Sequence, residues 1–260
     1  MTRLLSGVAL AAAAFAAVWW LSTAALLGVA LGLALLAYLE YARLVRAIGT
    51  ELPLVPALVA TLAACASVTT PLVPVPLLLG LLLVVVVLAL LLGGSHGVAL
   101  FHGASAAMLA PVYLGLPLGA LVGIHAAAGR EGVLILVATV AASDSAQYYS
   151  GRTFGRRPLA PTISPKKTME GAIGGFVVAP LVLWLLARAW LPQLPPLAAI
   201  GAGLGIVAAG ICGDLFESAL KRAAGVKDSG ALIPGHGGVL DRIDALLFAA
   251  PLFYLVVPAS

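Results

Sequence analysis

From Leu77 to Leu92 the chain is an unbroken run of Leu, Val, Ala and one Gly, without a charge or a polar side chain. Such a run approaches the ~20 apolar residues that a helix needs to cross a bilayer. It is one of many here. Of 260 residues, 62% are hydrophobic and 9% are charged, against about a quarter charged in soluble domains. The fold expected is all-α: a polytopic integral membrane helical bundle. The basic residues, with a net charge of +4, sit beside apolar segments and lack interleaved aromatics. They read as topology signals and phosphate ligands, with no nucleic-acid partner. Cys65 and Cys212 lie in apolar stretches without metal-ligand spacing and imply no disulfide framework.

Apolar runs bounded by Gly, Pro or charge predict nine spans, at roughly 4–20, 22–44, 52–69, 71–93, 97–116, 131–150, 170–190, 196–220 and 240–257. The stretch 117–129 either extends the fifth span or re-enters. The N-terminal run reads as an anchor, since Trp19 and Trp20 suit an interface and the apolar pattern resumes beyond them. With the N-terminus inside, every Lys and Arg except Arg130 and Arg188 falls on the cytoplasmic side, as the positive-inside rule asks. Residues 1–129 then form an apolar transmembrane scaffold and 130–260 a transmembrane catalytic region, within one membrane domain. No internal repeat, soluble domain or long linker is visible.

The charges gather in a few places. Asp144 lies in the sixth span, one helical turn before Tyr148, and an acid at membrane depth normally acts in a polar interior. Ser164-Pro165 reads as the cap and first turn of a helix beside Lys166 and Lys167, with Thr168 as the other possible cap. Lysines at free helical N–H groups suit phosphate. For Arg156 and Arg157, a purely topological role explains the sequence at least as well. Asp214, Glu217, Ser218 and Lys221 recur at steps of three or four and form one stripe. Beyond them, the glycines around His236 allow close approach to a ligand, and Asp241 and Asp244 stand one turn apart. Carboxylates with lysines suit Mg²⁺ held by one or two acids plus substrate phosphates. The chemistry expected is phosphoryl or nucleotidyl transfer, in which an ionised phosphate nucleophile needs no general base.

Ser218-Ala-Leu-Lys-Arg, then Lys227-Asp-Ser-Gly, then Pro234-Gly-His-Gly-Gly-Val-Leu-Asp-Arg-Ile-Asp closely resembles the signature of the phosphatidate cytidylyltransferases, or CDP-diacylglycerol synthases. The likeness extends to the Asp144 block, to Ser164-Pro-Lys-Lys-Thr-Met-Glu-Gly and to Gly213-Asp-Leu-Phe-Glu-Ser, covering the second half of the chain. It implies that CTP and phosphatidate give CDP-diacylglycerol and pyrophosphate on the cytoplasmic side of a bacterial inner membrane. It further implies a catalytic set of Asp144, Asp214, Asp241, Asp244, Lys221 and His236. Asp214, Asp241 and Asp144 would hold Mg²⁺, with room for a second cation. Ser164, Lys166, Lys167, Lys221, Arg222, Lys227, Asp228, Gly237, Gly238 and Arg242 would bind substrate. Gln147 before Tyr148 and Met169 before Glu170 depart from the family pattern, and neither is expected to touch a charged position.

Related enzymes acting on another lipid would share this pattern, and a cation-coupled transporter would also use intramembrane acids, although repeats typical of transporters are missing. The apolar surface suits lipid and a second subunit equally, so a homodimer is compatible with the sequence.

Overall fold

The computed structural model describes residues 2–70, 72–232 and 237–258. Among these, the helices are α1 (Thr2–Trp20), α2 (Thr23–Ala47), α3 (Leu54–Ser67), α4 (Val75–Leu92), α5 (Gly97–Ala110), α6 (Leu116–Phe154), α7 (Met169–Trp190), α8 (Pro196–Ala223) and α9 (Leu240–Val256). Each overlaps one of the expected spans. Among the described residues, five helical stretches are long and apolar enough to cross a membrane: Thr23–Ala47, Val75–Leu92, Gly97–Phe154, Met169–Trp190 and Pro196–Ala223.

The stretch 117–129 is helical and continues from α5. Pro111 opens a π-helical turn, Pro111–Gly115, that joins α5 to α6. Proline has no N–H to donate to the preceding turn, and a π turn is one way a helix absorbs that loss. A sharper break follows at Ala128 and Gly129, where Gly129 takes a φ of 65°.

The fold is all-α as expected, with one short hairpin added to it. Pro158–Ala160 (β1) and Ser164–Thr168 (β2) form an antiparallel hairpin with an irregular register. The helix predicted to start at Ser164-Pro165 starts instead at Met169. Its cap is Thr168, whose Oγ1 accepts from the Gly171 N–H at 3.1 Å. Pairing with β1 holds Ser164–Thr168 extended, so Lys166 and Lys167 lie on a strand rather than in a first helical turn.

The chain divides into two compact units, residues 1–123 with 220–242, and 124–219 with 243–260. In the first, Tyr38 and Tyr41 are fully buried and donate to the Leu54 and Ala106 carbonyls at 2.7 and 2.8 Å, tying α2 to α3 and α5. A Cβ on Gly115 would lie 2.4 Å from the Thr61 carbonyl oxygen, so glycine sets how closely α3 approaches. In the second, α7 and α8 pack through Ala172, Ala179, Val207 and Ile211. α7 also lies so close to α6 that a Cβ on Gly171 would sit 2.8 Å from the Gln147 carbonyl oxygen.

Candidate active site

The unit comprising 124–219 and 243–260 carries Asp144 on α6, Lys167 on β2, Asp214 on α8 and Asp244 on α9. Lys167 Nζ is ion-paired with Asp214 Oδ2. Asp144 lies within electrostatic range of Asp244, Asp214 and Lys167. Lys167 thus pairs with Asp214 and lies near Asp144, which also has Asp244 in its surroundings. α8 passes close to α9 here, since a Cβ on Gly213 would be 2.5 Å from the Asp244 carbonyl oxygen. Ser218 Oγ donates to Asp214 Oδ1 at 3.4 Å, one turn along α8.

Gln147 corrects the expectation that it leaves charged positions alone. Its Nε2 donates to Ser143 Oγ at 3.0 Å and reaches Asp144 Oδ1 at 3.5 Å. Glu170, in the first turn of α7, accepts the backbone N–H groups of Arg156 and Arg157 at 3.0 and 3.2 Å and so holds the hairpin that carries Lys167. Ser164 opens β2, half-buried, and Lys166 is exposed on it.

The unit comprising 1–123 and 220–242 carries the other group. Lys221 Nζ lies 2.6 Å from Asp241 Oδ1, and their side chains are only 11% and 6% exposed. Asp241 Oδ2 accepts from Ser229 N and Gly238 N at 2.9 and 2.8 Å and lies 2.9 Å from Ser229 Oγ. Both oxygens of this expected metal ligand are thus engaged by donors of the protein. Gly237, with a φ of 77°, allows the close passage: a Cβ there would be 2.5 Å from Asp241 Oδ2. Arg222 donates to the Val226 carbonyl at 3.0 Å, and Lys227, Asp228 and Arg242 are exposed. His236 lies outside the described residues.

Sequence reasoning missed Glu40. It is 4% exposed on α2 and accepts from Val239 N, Leu240 N and Ser229 Oγ, each at 2.9 Å. A signal was available, since Glu40 is an acid inside the second predicted span and the reasoning applied to Asp144 covers it equally. Among the described residues, no three Asp, Glu, His or Cys side chains converge closely enough to hold a metal ion.

The model of the cytidylyltransferase family matches residues 1–259. The chain belongs to the cytidylyltransferase family. Relatives include the phosphatidate cytidylyltransferase of Thermotoga maritima, 38% identical over 170 residues that cover 60% of each chain. That of Haemophilus influenzae is 45% identical over 125 residues, covering 46% of this chain and 43% of the relative. An uncharacterized Escherichia coli protein, YnbB, is 49% identical over 125 residues, or 48% of this chain and 42% of its own. The aligned chain thus spans less than two thirds of the length of these relatives. With its apolar helices, this cytidylyltransferase-family chain is a multi-pass helical membrane protein.

Proposed function

We propose that the chain transfers the cytidylyl group of CTP to phosphatidate, giving CDP-diacylglycerol and pyrophosphate. The observation that carries this reading is the ion pair of Lys167 with Asp214 in the neighbourhood of Asp144. It puts acids next to a phosphate-binding cation in a chain with few charges. The names of the relatives in T. maritima and H. influenzae support the choice of nucleotide and lipid.

A phosphate oxygen of phosphatidate forms a bond to the α-phosphorus of CTP. The bond from that phosphorus to the oxygen bridging to the β-phosphorus breaks, and its electron pair leaves with pyrophosphate. The attacking oxygen is already ionised, so the residues act by binding and orientation. Lys167 exchanges its Asp214 partner for a triphosphate oxygen, and Lys166 adds a second cation from the same strand. Ser164 stands on that strand as well; within the 220–242 segment Lys227 and Arg222 are the phosphate ligands, with Asp228, Gly237 and Arg242 beside them.

Asp144, with Asp214, Asp244 and Lys167 in its surroundings, leaves an excess of negative charge that suits a hard divalent cation, and Mg²⁺ usually takes only one or two protein carboxylates. Asp214, with Asp144 or Asp244, would hold it, and when bound it would neutralise triphosphate charge and align the in-line oxygens. Asp241 spends its oxygens on Lys221, Ser229 and Gly238, so it acts here as the anchor of the 227–240 loop. The reading keeps 130–260 as the catalytic region and nine spans, with the charged loops on the cytoplasmic side of a bacterial inner membrane.

Full-length protein in detergent, given phosphatidate, Mg²⁺ and each nucleoside triphosphate in turn, tests this. CDP-diacylglycerol and pyrophosphate should form with CTP and stop with chelator. Turnover only with another lipid or triphosphate would move the substrate to a relative's, and no turnover with any lipid would overturn the enzymatic reading.

A further inference from the structure

Glu40 belongs to the apolar half of the chain, yet its carboxylate is built into the loop that carries Lys227 and Asp228. Oε1 accepts the Val239 N–H, and Oε2 accepts the Leu240 N–H, at the start of α9. These N–H groups have no partner within the helix, and a carboxylate satisfies them with charge-assisted bonds. Oε2 also lies 2.9 Å from Ser229 Oγ, as does Oδ2 of Asp241. A hydroxyl has one proton to give, so Ser229 can serve only one of the two acids at a time and links them.

The glycines of the loop fit the same carboxylate. A Cβ on Gly230 would be 2.6 Å from Glu40 Oε1, and one on Gly238 would be 2.3 Å from Glu40 Oε2. The chain leaves Glu40 at Gly230 and returns to it at Gly238. Of the two, Gly238, expected to give room to a ligand, gives it to a buried acid instead.

We propose that Glu40 is a positioning residue, which holds Ser229 on one side and Val239 and Leu240 on the other, and so sets how the neighbouring Lys227 meets substrate phosphate. The proposal rests on the cytidylyltransfer reading for what the loop binds, and on the geometry alone for the pinning. A buried carboxylate costs several kcal/mol to desolvate, which packing alone could avoid with an apolar residue. The three donors offset that cost and tie Ser229 to the start of α9 through one carboxylate.

The test uses full-length protein with Glu40→Gln and Glu40→Ala. Glutamine keeps the shape but cannot accept with its NH₂ group, so it leaves one backbone donor unserved; alanine leaves both N–H groups unserved, while the Ser229 hydroxyl turns to Asp241. Hydrogen exchange at Gly238, Val239 and Leu240 should speed up by about tenfold or more in Glu40→Ala, with the other helices unchanged. kcat/KM should fall by at least a similar factor, mainly through KM for CTP or phosphatidate, with Glu40→Gln in between. Wild-type exchange and kinetics in both variants would overturn the proposal. So would uniform destabilisation with unaltered KM and kcat per folded molecule, which marks a merely structural acid. If Glu40→Ala does not insert, the isosteric Glu40→Gln gives the same readouts. Exchange reports on the pinning even if wild type turns over no phosphatidate, so failure of the substrate reading is seen separately.

Discussion

Lys167 can neutralise one anion at a time, and in this structure that anion is Asp214. Lys167→Ala should raise KM for CTP by about tenfold, the scale of one hydrogen bond to a charged group, with a smaller change in kcat. Initial rates against CTP concentration measure this, and an unchanged KM would return the lysine to a topological role. Asp241 presents the opposite case, since its partners are all protein groups. Asp241→Asn removes the charge that Lys221, only 11% exposed, meets at 2.6 Å, and breaking a buried pair costs on the order of 3 kcal/mol. The variant should therefore lower the thermal midpoint as well as activity. Loss of activity with full stability would favour direct contact with the reacting groups.

At the scale of the helix, small residues decide how closely elements pack. Gly115 faces the Thr61 carbonyl, whereas nothing lies within 4 Å of a Cβ placed on Gly28 of α2. Gly28→Ala should therefore be neutral or stabilising, by up to ~1 kcal/mol from helix propensity. Gly115→Ala should destabilise by about 1–3 kcal/mol, because a backbone atom must move. Thermal unfolding of the two variants in one detergent compares them directly, and equal midpoints would mean that the contact between α3 and the π turn is loose. Thr168 matters for a different reason. Its hydroxyl caps α7 at the end of the strand bearing Lys167, so Thr168→Ala should cost about 1 kcal/mol and weaken CTP use in the same variant.

For the molecule as a whole, the proposed topology puts the charged loops on the cytoplasmic side of the bilayer. Thr162 is exposed at the tip of the β1–β2 hairpin, Cys212 is exposed, and Cys65 is buried. Thr162→Cys in a Cys212→Ser background should react with a membrane-impermeant maleimide in inverted vesicles and not in intact cells. The reverse pattern would invert the topology, and the lipid substrate would then have to be reached from the other leaflet.

Apolar runs alone placed the helices, because lipid selects for composition over each local stretch and needs no knowledge of distant partners. The charged signature between Gly213 and Asp244 likewise made the chemistry legible, since charge in an oily chain is costly and rarely idle. Local signals failed where two local solutions were equally good. Ser164 and Thr168 could each cap a helix, and pairing with β1 chose Thr168. They failed too where the partner is remote: nothing near Glu40 in sequence announces that Ser229 and Leu240 complete its hydrogen bonds. Helix identity follows from neighbours within a few residues. The partner of a buried carboxylate is chosen only when folding withdraws it from water and leaves specific N–H and O–H groups within reach.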